Sequence, residues 1–206
     1  MPPRHVLVTG FEPFGGDATN PSQELAKAVD GTMIGDHLVR SLVLPVQHEA
    51  AGAIVRGALG TEDLAAVVHL GLAGGRARLS LERVAVNMLD YSMPDALGDV
   101  RRDEPCVGGG PAAHVATLPL RSILEALTAE GIPAHLSYTA GTYLCNYTMY
   151  TTLDTLARQG RRVPAGFIHL PFSPAMVAAH GLEEPSMDLG LMARALDVVL
   201  GVLARS

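Results

Sequence analysis

Short apolar runs and longer amphipathic stretches alternate along the chain. Residues 5–9 (HVLVT) and 37–44 (HLVRSLVL) read as strands, the second ended by Pro45. Residues 64–70 (LAAVVHL) form a near-continuous apolar run, the pattern of a strand covered on both faces of a parallel sheet. Residues 79–87 (LSLERVAVN) alternate, with Leu79, Leu81, Arg83, Ala85 and Asn87 facing one way and Ser80, Glu82, Val84 and Val86 the other. That period of two predicts one strand. Residues 134–139 (AHLSYT) and 166–170 (GFIHL) are two more.

Helical stretches separate these runs. Asn20 is a good N-cap, Pro21 suits the first helical position, and Gln23 completes a capping box. Residues 47–59 have helical content, and residues 119–131 are amphipathic up to a terminating Gly131. Residues 145–160 form the next helix. The last shows Leu189, Met192, Leu196, Val199 and Leu203 at steps of three and four. The alternation predicts one α/β domain over residues 1–206, a three-layer α/β/α sandwich with a mainly parallel, twisted sheet. Residues 91–111, rich in Gly, Pro and charge, predict a long mobile loop and a candidate lid.

Composition removes several classes of function. With 206 residues, 48% apolar and 17% charged, the chain has enough apolar mass for a core and does not resemble a disordered segment. Net charge is −6, and the 15 Lys and Arg residues are dispersed, which argues against nucleic acid or an anionic membrane as a partner. No apolar run is long enough to span a bilayer, and the first residues lack the apolar core of a signal peptide. Together with only two cysteines, Cys106 and Cys145, this predicts a cytoplasmic protein with free thiols.

Candidate chemistry lies where strands end. TGFEPFGG (9–16) follows the first strand but matches neither a dinucleotide fingerprint nor a P-loop, and its Glu12 disfavours phosphate. It does carry two of the four phenylalanines, Phe11 and Phe14, at the edge where open α/β sheets bind ligands. Rings there suit a flat, uncharged ligand group, or they plug the loop onto the core. GLAGGR (71–76) ends another strand and reads first as a tight exit, second as a source of backbone N–H groups for an anion.

Cys145 falls at a predicted helix start, where the macrodipole favours thiolate and free N–H groups face outward. On its own such a cysteine is as well read as a small buried hydrophobe. Its imidazole partner is either His69 or His169, both ending apolar strands, and spacing does not choose between them. Glu82 lies in an otherwise apolar strand, where a carboxylate must be paired; an imidazolium would serve, whereas Arg83 points to the other face. A carboxylate that orients a histidine that activates a thiol is the logic of a catalytic triad. The spacings of metal sites are missing.

Taken in order, TGFEPFGG with NPS, GLAGGR with LERVAVN, ATLPL, YTAGTYLCNY and GFIHLPF resemble the pyrrolidone carboxyl peptidases (pyroglutamyl peptidase I) from about residue 5 to about residue 200. The resemblance implies a cytosolic cysteine peptidase with an α/β sandwich fold, often a homotetramer, that removes N-terminal pyroglutamate from peptides with neither metal nor organic cofactor. It implies the triad Glu82, Cys145 and His169, and so selects His169. It also implies a lactam pocket formed by Phe11, Phe14, Leu72, Met93, Tyr143 and Leu144.

Three positions depart from the family pattern. Leu72 replaces a Gln found in some members. In DYSMPD (90–95), Ser92 stands where an active-site Arg is usual and Met93 where an Ile lines the pocket, leaving Arg76, Arg78 and Arg101 as the cations available to take over. Cys106 has no family counterpart and reads as an incidental loop thiol. Two other functions fit parts of the pattern. A nucleoside phosphorylase-like enzyme would share the layering, and a non-catalytic paralogue that binds pyroglutamyl ends would account for Ser92.

Overall fold

The computed structural model describes residues 4–61 and 63–205; residues 1–3, 62 and 206 of the expected domain lie outside the described residues. The elements are β1 (His5–Phe11), α1 (Pro21–Val29), β2 (Met33–Ile34), β3 (His37–Leu44), α2 (His48–Thr61), β4 (Leu64–Leu72), β5 (Leu79–Glu82), β6 (Val84–Val86), β7 (Ala113–Val115), α3 (Leu120–Ala129), β8 (Ala134–Ser137), α4 (Leu144–Arg158), β9 (Ala165–Leu170), α5 (Pro174–His180) and α6 (Leu189–Leu203). Seven strands form one sheet in the order β2-β3-β1-β4-β9-β5-β8, and β6 and β7 form a separate pair. The sheet is parallel except where β2 meets β3 and where β5 meets β9.

The pleat divides the apolar residues between two cores. Val6 and Val8 of β1, Ala66, Val68 and Leu70 of β4, and Ile168 and Leu170 of β9 pack with α1, α3 and α6. Leu7 and Phe11, Val67, Ala165 and Phe167 pack on the other face with α2 and α4. This is the expected three-layer arrangement. Burying strands on both faces is what makes their sequences read as unbroken apolar runs.

Local bonds shape the end of β1. The strand runs on through Phe11, and α1 begins directly against it. A Cβ on Gly10 would stand 2.0 Å from the Ser22 carbonyl oxygen, so only glycine permits this approach. The Asn20 side chain accepts from the Ser22 N–H at 3.0 Å and hydroxyl at 2.8 Å, while Ser22 Oγ accepts from the Phe11 N–H at 3.0 Å. The helix cap therefore also anchors the strand end.

Three sequence expectations need correction. The stretch 79–87 is two strands, not one. Arg83 donates its N–H to the Ser137 carbonyl and accepts from the Ala116 N–H, ending the pairing of β5 in the main sheet and turning the chain into the β6–β7 pair. All four β5 residues are buried, so its alternation marks two covered faces rather than one wet one. The loop 91–111 is folded onto the core. Tyr91 is fully buried with its hydroxyl 3.0 Å from His48 Nδ1, and the Asp95 carboxylate accepts from the N–H groups of His48, Leu97 and Asp99 at 2.9–3.1 Å. Leu89 and Glu104 exchange backbone bonds across it. β8 is also shorter than expected, stopping at Ser137, with Tyr138 exposed.

Candidate functional site

The strand parity that sorts the cores also sorts the chemistry. Leu79 and Leu81 face α3 and α6, so Ser80 and Glu82 face α4; Ile168 and Leu170 face α6, so Phe167 and His169 face α4. β5 runs against β9 with Ser80 opposite His169 and Glu82 opposite Phe167. Glu82 thus lies below His169 on the same face, and its Oε1 is 2.8 Å from His169 Nδ1. Glu82 is fully buried and His169 only 4% exposed.

Cys145 approaches from the helix layer. It is the second residue of α4, whose first-turn N–H groups have no partner four residues back within the helix. Its Sγ would lie 3.0 Å from a Cβ on Gly71, and the Phe167 ring would lie 2.6 Å from that same Cβ. Gly71 is paired with His169 between β4 and β9. The missing side chain at Gly71 is therefore the space in which sulfur sits, beside the strand position of the imidazole.

The electrostatics follow from burial. Burial raises Glu82, but the His169 bond (reinforced by charge whenever the imidazole is protonated), the Ser137 side chain and the Arg76 guanidinium hold it below its ordinary value, so it is a carboxylate. Arg76 Nη1 bonds the same Oε1 at 2.9 Å. Burial pushes His169 below the usual imidazole value against the pull of Glu82, leaving it neutral at rest. The Cys145 thiol is pushed up to about 12 by burial and then by Glu82, with Arg76 and its own N–H opposing. The cysteine is at the helix start as expected, and there burial opposes the thiolate that the dipole favours.

His69, the rival imidazole, is fully buried between Thr9 Oγ1 at 2.7 Å and Thr152 Oγ1 at 2.8 Å. Burial alone pulls it down to about 3, so it is a neutral core histidine. Cys106 is partly buried, its Sγ directed at the carbonyls of Val86 at 3.5 Å and Met88 at 3.4 Å, and burial pushes it up to about 11. It is held by the β6 segment rather than dangling from a loop.

A cavity of about 50 Å³ opens beside the sulfur, lined by Phe11, Phe14, Asn20, Val46, Leu72, Tyr143, Leu144 and Cys145. Larger hollows exist, such as one of about 350 Å³ by His114 and Pro164, but none of the residues above lines it.

A family model described as Pyroglutamyl peptidase matches residues 4–206. The chain belongs to the pyroglutamyl peptidase family. The pyrrolidone-carboxylate peptidase of Pyrococcus furiosus is 42% identical over 200 residues, covering 96% of each chain. That of Klebsiella pneumoniae is 44% identical, covering 97% of this chain and 92% of its own. The solved pyrrolidone carboxyl peptidase from Thermococcus litoralis superposes with a TM-score of 0.93 at 41% identity, covering 97% of this chain and 92% of that one. This pyroglutamyl peptidase family member is a cysteine peptidase.

Five of the six expected pocket residues line the cavity of this family member, and Met93 does not. Met93 is 48% exposed, one residue before Pro94, whose carbonyl accepts from the Tyr143 hydroxyl at 3.2 Å. Asn20 and Val46 line the pocket and were missed. The preference of ligands for strand ends that points to β1 applies equally to the end of β3, where Val46 stands, and the capping role of Asn20 hides its place in the pocket. Ser92 is exposed. Among the three arginines offered in its place, Arg76 contacts Glu82, while Arg101 pairs with Asp99 at 2.7 Å and Glu104 at 3.2 Å. Among the described residues no group of three His, Cys, Asp or Glu side chains is arranged to hold a metal ion.

Proposed function

We propose that this peptidase releases N-terminal pyroglutamate from peptides with Cys145 as nucleophile, His169 as base and acid, and Glu82 as the orienting carboxylate. The observation that carries the proposal is the 2.8 Å bond from His169 Nδ1 to buried Glu82 on the sheet face shared with Cys145. That bond assigns the proton to Nδ1 and leaves Nε2 basic. A thiol held neutral gives up its proton to Nε2 as sulfur attacks the carbonyl that joins the lactam to the next residue. N–H groups of the first turn of α4 stabilise the oxyanion. The imidazolium then protonates the leaving amine, a thioester remains on Cys145, and water activated by His169 hydrolyses it.

The pocket suits the acyl group. Phe11, Phe14, Leu72 and Leu144 give apolar walls for a flat ring. Leu72 has no polar side-chain atom, so the ring amide is read by backbone groups at the strand ends together with the polar atoms of Asn20 and Tyr143. A free glutamyl end would carry charge into this dry space and be rejected.

The decisive assay is release of a reporter amine from a pyroglutamyl amide. Cys145→Ala abolishes release and Cys106→Ala does not; the reverse result overturns the assignment. Turnover of nucleosides that depends on phosphate, or ligand binding without amine release, would favour the two competing readings. The same proposal places the protein in the cytoplasm as a homo-oligomer, the tetramer being what the resemblance implies. Supporting this, among the described residues no helix is long and apolar enough to cross a membrane, and both cysteines are free. Light scattering on the eluting peak reads the oligomer directly.

A further inference from the structure

Glu82 carries two donors on one oxygen. His169 Nδ1 and Arg76 Nη1 reach Oε1 at 2.8 and 2.9 Å, and the Ser137 side chain lies close enough to the buried carboxylate to help hold it ionised. A carboxylate with no exposure to water needs a countercharge. His169 is neutral at rest and supplies a dipole only. Arg76 comes from the loop between β4 and β5, its side chain 30% exposed, and brings a full positive charge. The titratable and charged groups that face the imidazole are Glu82 from β5, Arg76 from this loop and Cys145 from α4; Arg83 leans over the Tyr138 ring instead.

We propose that Arg76 is a positioning residue of this site: it keeps Glu82 ionised while His169 is neutral, and so sets the pH window in which Cys145 and His169 work together. The inference rests on the reading of Glu82, Cys145 and His169 as the triad. Its sign does not depend on whether the resting pair is neutral or an ion pair. Removing a nearby positive charge makes each proton in the cluster harder to lose, so both limbs of the pH–rate profile move to higher pH. Because Glu82 is shared, the imidazolium formed during attack is also less stabilised than in an isolated pair, which keeps it a competent acid for the leaving amine.

The test uses Arg76→Gln and Arg76→Lys in a Cys106→Ala background. Two profiles are measured against pH: kcat/KM on a pyroglutamyl reporter amide, and the rate of alkylation of Cys145 by iodoacetamide. A full charge at this distance shifts a buried neighbour by about 1–3 pH units, and partial exposure reduces that, so both limbs of Arg76→Gln should rise by about 0.5–1 unit. Arg76→Lys, which keeps the charge, returns them toward the wild-type positions. An arginine with a merely structural role would lower kcat with the limbs in place, and limbs that coincide with wild type overturn the proposal. Should Arg76→Gln fail to fold, Arg76→Met takes its place as the charge-removing variant and is read against the same two outcomes, with Arg76→Lys again expected to return the limbs. An active Cys145→Ala variant would instead sink the triad reading. Unmoved limbs alongside an inactive Cys145→Ala sink only the role of Arg76.

Discussion

Gly71→Ala tests the geometry at its tightest point. The new methyl would stand 2.6 Å and 2.9 Å from Phe167 ring carbons and 3.0 Å from Cys145 Sγ, whereas ordinary contact begins at 3.4 Å. The ring belongs to a fully buried residue and has little room to yield. Sulfur must therefore retreat by at least about 0.4 Å along the line to Gly71, or the backbone of β4 must bow. Overpacking of this kind costs about 1–3 kcal/mol. In a chain of this size each kcal/mol lowers Tm by about 2–4 °C. Displacement of a nucleophile by a fraction of an ångström costs about 10- to 100-fold in kcat/KM, because attack geometry degrades within about 1 Å. Reporter-amine release, thermal melting and the rate of Cys145 alkylation are measured together. A variant as active as wild type with unchanged Tm would show that the sulfur does not occupy the space left by the missing side chain, and the site as described would be wrong.

Three further outcomes are expected. Between pH 6.5 and about 3 the unfolded chain protonates His69 and the folded chain does not, so folding stability falls as pH falls, by about 1.4 kcal/mol per pH unit from this residue. Denaturant titrations of wild type and His69→Gln across that window should differ in slope; equal slopes mean that His69 titrates normally in the fold. Prolyl amides, which lack the ring carbonyl and carry an ammonium, should be cleaved about 10⁴-fold less efficiently than pyroglutamyl amides. Comparable rates would refute a pocket built on shape and hydrogen bonds. Gly57→Ala, on an exposed turn of α2 where a new Cβ meets nothing within 4 Å, should stabilise the fold by up to about 1 kcal/mol without changing turnover, read by melting and by the same reporter.

The buried parallel strands were the most legible part of the chain. β1, β4 and β9 are apolar on both faces because helices cover both, and their starts are legible to within a residue, although β1 and β4 run two residues past the ends expected at Thr9 and Leu70. The start of α1 is equally plain, since Asn20 and Pro21 are adjacent cap and first-turn signals, whereas α5 over Pro174–His180 is not among the expected helices. What failed to show was long-range pairing. LSLERVAVN alternates whether it is one strand or two, and only the bonds of Arg83 to Ser137 and Ala116, distant in sequence, break it. The burial that opposes the thiolate is hidden for a similar reason. A helix start can be read locally, whereas the enclosure of Sγ against Gly71 and Phe167 depends on two strands it does not adjoin. His69 and His169 look alike in sequence because both lie on the α4 face of their strands. Their difference is depth: His69 is opposite Phe167, two residues further in, where Thr9 and Thr152 occupy both ring nitrogens.

The reversed strand explains why the site is compact. Were β5 parallel to β9, the chain would have to cross back over a whole layer before entering it, and the entry loop would lie at the far edge of the sheet. Running antiparallel, β5 is entered from the edge where β1, β4 and β9 end, and Ala73 donates its N–H to the Leu170 carbonyl as the chain passes over β9. The stretch from Leu72 to Glu82 therefore carries a pocket wall, the cation and the carboxylate in sequence, with no other element between them. Strain introduced anywhere along it reaches recognition and chemistry together. Within that stretch, a substitution that disturbs Leu72 alone should act mainly on substrate affinity, and one that disturbs Arg76 should act on the pH limbs.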